Sequence, residues 1–144
     1  KNAIGLNVGG SVDCGFMTVK STPAIHSSSL PDGSKGGLSS GYVITTTDGS
    51  RLYFAGDTAL YSDMQLIGDD GIDLAFLPIG DFCTMGPDDA LKAIKFVRPK
   101  VVVPMHYNTF PAIMQDVSQC ANRVSSETDA QPIVLDPGGS YTLA

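Results

Sequence analysis

One aspartate and two histidines stand out because each follows a short apolar run that is typical of a β-strand. Asp57 ends the run 53–57 (YFAGD), His26 follows 20–25 (KSTPAI), and His106 follows 101–105 (VVVPM). Ligand and metal sites of α/β proteins collect where strands end. Imidazole nitrogen and carboxylate oxygen are ligands of divalent metals such as zinc. Together the three placements favour a metal site. Taken singly, Asp57 also fits a helix cap or turn, and each histidine also fits a structural role.

The elements that must position these residues can be predicted from apolar periodicity and turn residues. Asp48-Gly49 predicts a tight hairpin turn, and residues 27–40 form a long polar loop that fits either a substrate lid or a surface insertion. The predicted strands are 16–21 (extending toward residue 26), 41–47, 51–55, 72–79, 100–104, 133–135 and 141–143. Helices are predicted over 59–67, from 86–89 up to Pro99, and over 112–125, whereas residues 1–11 are predicted to be a loop.

Early hairpin strands followed by alternating strands and helices predict a mixed α/β (α+β) fold. The length of 144 residues suits one domain, and no repeat or linker divides the chain. We therefore predict a single domain over residues 1–144.

Four segments resemble the metal-dependent hydrolases of the metallo-β-lactamase superfamily. They are residues 53–64 (YFAGDTALYSDM), 73–86 (DLAFLPIGDFCTMG), 103–111 (VPMHYNTFP) and 24–28 (AIHSS). The similarity extends from about Gly5 to Pro111, and it is strongest to a branch of uncharacterised hydrolases related to ascorbate-phosphate lactonases. The resemblance implies that this chain forms the second half of an αββα sandwich.

The resemblance also implies a role for each of the three candidate ligands. It assigns His26 to a first metal ion, His106 to a second, and Asp57 to both as a bridging carboxylate. Asp57 and His106 would then be the catalytic residues. The implied cofactor is a pair of zinc ions, although Mn²⁺ or Fe²⁺ accept the same ligands. A hydroxide bridging two such ions is a nucleophile near neutral pH, so no serine or cysteine nucleophile is required.

Members of this superfamily carry an early H-x-H-x-D-H motif, which this sequence lacks. The motif supplies the remaining ligands, and a catalytic zinc ion needs about three protein ligands. We therefore expect the chain to be a C-terminal portion of such a hydrolase, to bind metal weakly and to be inactive when isolated. Its expected partner is the missing N-terminal half or a second copy, which would cover an exposed apolar face.

Three further residues are candidates for contacting substrate. Tyr107 and Asn108 directly follow His106, and Asp81 ends the predicted strand 72–79. Turn packing is an equal alternative for Tyr107 and Asn108, and a structural turn for Asp81.

Composition excludes several classes of partner. The net charge is −6, and the nine Lys and Arg residues are scattered, whereas nucleic-acid binding depends on clustered cations. The sequence contains no run of about 18 apolar residues, so no membrane span is predicted. Three cysteines match no metal or redox motif, which favours reduced thiols and a cytoplasmic location.

Two functions follow from these observations. The first is a metal-dependent hydrolase, or part of one, acting on a small-molecule ester, lactone or phosphorylated metabolite. The alternative is a catalytically inactive half-fold that serves as an interaction or structural module. Retention of both histidines and Asp57 at strand ends favours the hydrolase.

Overall fold

A computed structural model describes residues 3–143 as one seven-stranded mixed sheet with helices on one face. The strands lie in chain order across the sheet, with β1 to β4 antiparallel and β4 to β7 parallel. The mixed α/β class is thus confirmed. The strands are β1 Ser11–Asp13, β2 Met17–Pro23, β3 Ser40–Thr46, β4 Arg51–Phe54, β5 Leu74–Pro78, β6 Val101–Met105 and β7 Gln131–Pro132. The helices are α1 Met64–Asp69, α2 Pro87–Val97 and α3 Val117–Glu127, with a 3-10 turn at Pro111–Ile113.

The sheet separates two apolar clusters, as the period-2 alternation of strand side chains requires. On the helix face, Tyr53, Ala75 and Val102 pack with side chains of α1 and α2. On the opposite face, Leu74, Val101 and Val103 pack with Leu52, Phe76 and part of the C-terminal tail. Part of this opposite face is open, since Tyr42 and Phe54 are exposed there.

The elements around the candidate site agree well with the prediction. The hairpin at Asp48-Gly49 joins β3 to β4, and Gly49 adopts a φ of 89° that suits glycine. Helix α2 begins at Pro87 with Asp88 and Asp89 in its first turn, as predicted. It ends one residue before Arg98, which caps it in a left-handed conformation.

Two predicted helices were placed wrongly. Residues 59–63 are not helical, because Ala59 donates its backbone hydrogen bond to Ile25 (2.9 Å) rather than within a helix, and α1 begins only at Met64. Residues 112–125 divide into the 3-10 turn and α3, since the Asp116 side chain accepts a hydrogen bond from the Gln119 backbone (2.9 Å) and starts a new helix.

The predicted strands 133–135 and 141–143 were also wrong. Only Gln131–Pro132 pairs with β6, and the following residues run as an extended tail whose Ile133, Leu135 and Leu143 pack on the sheet. Their apolar character reflects burial against the sheet rather than strand pairing. At the other end, β1 begins at Ser11, the last residue of the predicted loop 1–11, and residues 1 and 2 lie outside the described part. Within residues 3–143 no helix is long and apolar enough to cross a membrane.

Candidate metal centre

The predicted ligands lie at the edge of the sheet where β2, β4 and β6 end. Asp57 follows β4 after Gly56, whose φ is 67° and whose hydrogen atoms face the Ser40 carbonyl oxygen; a Cβ there would lie 2.8 Å from that oxygen. His106 directly follows β6 with a φ of 55°. A left-handed conformation is uncommon for a residue with a side chain, and it turns the chain away from the sheet at the histidine itself.

The side chains of Asp57 and His106 face one another. His106 Nε2 lies 3.6 Å from Asp57 Oδ2, and both side chains are partly exposed. This separation is too long for a hydrogen bond. Two ligands of one tetrahedral zinc ion, each about 2.1 Å from the metal, lie about 3.4 Å apart. The observed spacing therefore fits a shared cation. His106 Nδ1 is buried without a hydrogen-bond partner, so neither ring nitrogen is committed to a hydrogen bond.

His26 lies on a turn that is fastened to the Asp57 loop. The backbone of Ile25 donates to Thr58 Oγ1 (2.9 Å) and accepts from Ala59 (2.9 Å). The Tyr61 hydroxyl donates to the Pro23 carbonyl (2.7 Å), and burial raises the pKa of Tyr61, which keeps this hydroxyl protonated at neutral pH. The His26 turn is thus held at three points.

One of the two ring nitrogens of His26 already has a hydrogen-bond partner. Its Nδ1 lies 2.7 Å from the Ser27 carbonyl oxygen, and in the Nδ1-protonated tautomer it donates to that oxygen. Metal-binding histidines commonly donate their other ring N–H to a carbonyl in this way, which leaves Nε2 of His26 available. Within residues 3–143, however, no group of three or more His, Cys, Asp or Glu side chains is arranged to hold a metal ion. The structure brings Asp57 and His106 together and does not bring His26 into the same cluster.

The three predicted substrate residues have structural contacts. The Asn108 amide donates to the Gln115 carbonyl (3.2 Å) and accepts from the Gln115 backbone N–H (2.6 Å), which favours the turn-packing alternative. Tyr107 packs against Ile79 and Cys120, and burial, followed by the charge of Asp136, raises the pKa of its phenol. The Asp81 side chain lies beside Gly86, where an added Cβ would be 3.2 Å from its carboxyl carbon.

Three residues that the sequence did not single out hold the centre together. Thr58 is completely buried; besides accepting from Ile25, its backbone carbonyl accepts from Met85 (3.0 Å), which joins the loop after β5 to the Asp57 loop. Gly80 lies against the His106 carbonyl, where a Cβ would be 2.3 Å from the oxygen. Gln115 donates its side-chain amide to the Gly80 carbonyl (3.2 Å). The only sequence signal for Thr58 was its place next to Asp57.

Strained backbone is concentrated here. Among residues 3–143, five residues other than glycine have a positive φ, and four of them follow β5 or β6: Asp81, Phe82, His106 and Asn108. Such conformations cost free energy and cluster at functional sites. The loops after β5 and β6 therefore do not adopt their most stable backbone conformations, as is typical of a functional site.

Comparisons with known proteins identify the family of the chain. Residues 1–107 match the beta-lactamase superfamily domain. Among curated relatives, a UPF0173 metal-dependent hydrolase of Deinococcus radiodurans is 53% identical over 143 residues, which is 99% of this chain and 62% of that protein. A UPF0173 metal-dependent hydrolase of Thermus thermophilus is 52% identical over 94% of this chain and 60% of that protein. The chain thus spans less than two thirds of the length of these relatives.

Solved structures share the fold. Igni18, a metallo hydrolase of the archaeon Ignicoccus hospitalis, superposes with a TM-score of 0.83 at 40% identity, covering 95% of this chain and 58% of that one. The metallo-β-lactamase fold protein YhfI of Bacillus subtilis has a TM-score of 0.73 at 12% identity over 95% of this chain and 54% of that one, which shows the fold alone. This chain belongs to the metallo-β-lactamase superfamily, and its relatives are named metal-dependent hydrolases.

Proposed function

We propose that this chain supplies one side of the metal centre of a cytoplasmic hydrolase. The observation that carries the proposal is the 3.6 Å approach of His106 Nε2 to Asp57 Oδ2, on loops that close the ends of β4 and β6. His26 is the third ligand, with Nε2 as its available nitrogen. Zinc is the proposed metal because imidazole and carboxylate suit it, and Mn²⁺ or Fe²⁺ accept the same set.

The chemistry is hydrolysis of a small ester, lactone or phosphorylated metabolite. A bound pair of divalent ions would lower the pKa of a water molecule and polarise the scissile group. The chain's own contribution is placement: Thr58 holds the His26 turn, Gly80 lets the loop after β5 approach His106, and Asn108 fixes the loop that follows it. Asp57 would supply negative charge to the bound metal ions.

The remaining ligands come from outside residues 3–143 in this proposal, from an N-terminal half or a second copy, since no group of three candidate ligands is present within them. We expect the isolated chain to bind substoichiometric zinc and to lack hydrolase activity. Adding a polypeptide that carries the H-x-H-x-D-H motif should raise the content to about two ions per chain. Full metal content and full activity of the chain alone would refute this division of ligands.

The assignment of ligands is tested by substitution in the complete protein. Asp57→Asn and His106→Ala should each lower zinc affinity by more than tenfold, measured by competition with a chelator, and abolish turnover. Asp69→Asn is the matched control, because Asp69 lies at the C-terminal end of α1 and pairs with the exposed Arg98 side chain (2.8 Å). Retention of wild-type affinity and turnover by Asp57→Asn would remove Asp57 from the proposed site.

A second function is favoured by the exposed sheet face. Tyr42 and Phe54 are exposed where the strands would otherwise be covered, as in a module that binds a partner without catalysis. Failure of the motif-bearing polypeptide to restore metal binding, together with stable association, would favour this role.

A further inference from the structure

Several large apolar side chains are exposed at the sheet edge where the proposed ligands lie, on the loops that follow β2, β5 and β6. Six large ones lie there, and together they form what we call the apolar rim: Ile25, Leu30, Leu38, Phe82, Phe110 and Met114. Exposed apolar groups are common singly on protein surfaces. Six of them on three loops at one edge of the sheet instead indicate a binding surface.

Hydrogen bonds place these loops beside the metal centre. Ile25 is bonded through its backbone to Thr58 and Ala59, next to Asp57. The loop of Phe82 is closed by a bond from Asp81 to Met85 (3.0 Å), and Met85 in turn donates to Thr58 (3.0 Å). The loop after His106 is closed by a bond from Asn108 to Ile113 (2.9 Å) and carries Phe110 at its turn.

Phe82 is the most informative member of the rim. It is 76% exposed, so its ring gains little from burial in this chain. Its φ is 23°, a conformation that a bulky side chain rarely adopts. A largely exposed ring on a strained backbone contributes little to the stability of the fold, which favours a role in binding.

The charged side chains at this edge of the sheet distinguish between the possible classes of substrate. In residues 24–39, 55–63, 79–86 and 106–116, which form this edge, Lys35 is the single cation, whereas aspartates are several. Phosphate and carboxylate groups are normally bound by Arg, Lys or a helix N-terminus. The N-terminus of α2 already faces the side chain of Asp81 and carries Asp88 and Asp89. Apart from metal ions, this edge offers little to an anionic group.

We infer that the substrate is an uncharged ester or lactone with an apolar acyl group, which packs on the apolar rim with Phe82 as its principal contact. This inference rests on the proposed hydrolase function and narrows it by excluding phosphorylated metabolites. In the reaction, water adds its oxygen to the acyl carbon, the bond to the leaving alkoxide breaks, and the alkoxide takes up a proton from the water.

The test uses the metal-loaded complete protein and p-nitrophenyl esters of rising chain length. The acetate, butyrate and hexanoate esters should show kcat/KM values that increase about fourfold for each methylene buried. The p-nitrophenyl monoester of succinate, which carries a carboxylate, should react at least tenfold more slowly than the butyrate. p-Nitrophenyl phosphate should be a poor substrate.

Two variants test whether the preference for longer acyl chains arises from the apolar rim. Phe82→Ser and Phe110→Ser should each reduce the ratio of hexanoate to acetate kcat/KM, by about tenfold for Phe82, mainly through KM. Phe16→Ser is the matched control, because Phe16 is 69% exposed but precedes β2 at the opposite edge of the sheet. It should leave the ratio unchanged.

Binding without turnover provides an independent readout. N-Phenylhexanamide, an uncleaved analogue, should bind the metal-free complete protein with a negative heat-capacity change that Phe82→Ser reduces. Equal kcat/KM across chain lengths, or a Phe82 variant that impairs assembly with the rest of the protein and not the chain-length ratio, would overturn the inference alone. Absence of metal-dependent hydrolysis of every ester, lactone and phosphate would overturn the proposed function as well.

Discussion

The hydroxyl of Thr58 connects the His26 turn to the Asp57 loop. It accepts from the Ile25 backbone (2.9 Å) and donates to the Ala59 carbonyl (2.8 Å) while the residue is completely buried. Thr58→Val keeps the shape and removes both bonds, so we expect a loss of about 1–2 kcal/mol in the free energy of unfolding. Urea unfolding measures this loss.

Zinc affinity separates a positioning role of Thr58 from a merely stabilising one. Thr58→Val should weaken zinc binding of the complete protein under conditions where it is fully folded, and Thr58→Ser, which retains the hydroxyl, should restore most of it. Equal weakening by both variants would show that the hydroxyl does not position His26.

Gly80 allows β5 and the His106 turn to approach one another. A Cβ at this position would lie 2.3 Å from the His106 carbonyl oxygen and 3.1 Å from Ile113 Cβ. Gly80→Ala should therefore displace His106, cost about 1–3 kcal/mol and reduce zinc affinity. Gly5→Ala is the control, since nothing lies within 4 Å of its added Cβ. Wild-type stability and affinity in Gly80→Ala would contradict the close approach.

At the scale of elements, the Asp73 side chain connects the starts of β4, β5 and β6. Its carboxylate pairs with Lys100 (2.8 Å) and accepts from the Arg51 backbone N–H (2.7 Å). The Lys100 ammonium and then the Arg51 N–H lower the pKa of Asp73 below its usual 3.8. A carboxyl whose pKa is depressed in the folded state stabilises the protein above the unfolded pKa, and this contribution is lost as the pH falls through the folded value.

Asp73→Asn should consequently cost about 1 kcal/mol at pH 7, and the difference from wild type should shrink as the pH falls below about 3.9. Denaturant unfolding at pH 7, 5 and 3 measures both effects. Asp70→Asn provides the comparison, because Asp70 forms an exposed pair with Lys20 (3.2 Å) and such pairs contribute little. A difference for Asp73→Asn that is independent of pH would show that its charge is unimportant.

The elements that local chemistry dictates were predictable. The hairpin at Asp48-Gly49, the strand that ends before His106 and the Pro87 start of α2 all appear where the sequence places them. In each case the signal lies within a few residues: a turn pair, an apolar run, or a proline followed by acids.

Local sequence patterns did not predict the structure where contacts between residues far apart in the sequence determine it. The apolar spacing from Leu60 suits a helix, but residues 59–63 are held by the His26 turn, more than thirty positions earlier in the chain. The role of Thr58 could not be predicted for the same reason, because its hydrogen-bond partner Ile25 is also far away in the sequence. The apolar run that starts at Ile133 suits a strand, yet β7 ends at Pro132 and the tail packs on the sheet face instead.

At the scale of the molecule, the sheet has one covered and one partly open face. The rings of Phe54 and Phe76 pack in a tilted arrangement on the open face, with centroids 5.8 Å apart, and Phe54 is 42% exposed. The C-terminal tail covers only the neighbouring strands through Ile133, Leu135 and Leu143. An exposed aromatic cluster on a sheet is a surface that another layer normally covers.

We therefore predict that the isolated chain associates through this face and that the motif-bearing polypeptide of the proposed function competes for it. Sedimentation velocity at rising concentration should show self-association that Phe54→Ser weakens by about tenfold or more, as expected for removal of a partly buried phenyl ring. Leu66→Ser is the control, because Leu66 is 67% exposed on α1, at the helix side. Adding the motif-bearing polypeptide should dissociate the self-associated species, because this polypeptide and a second copy of the chain cannot cover the same sheet face at once. A monomeric wild-type chain would show that the tail already covers enough of the sheet, and self-association unaffected by Phe54→Ser would place the contact elsewhere.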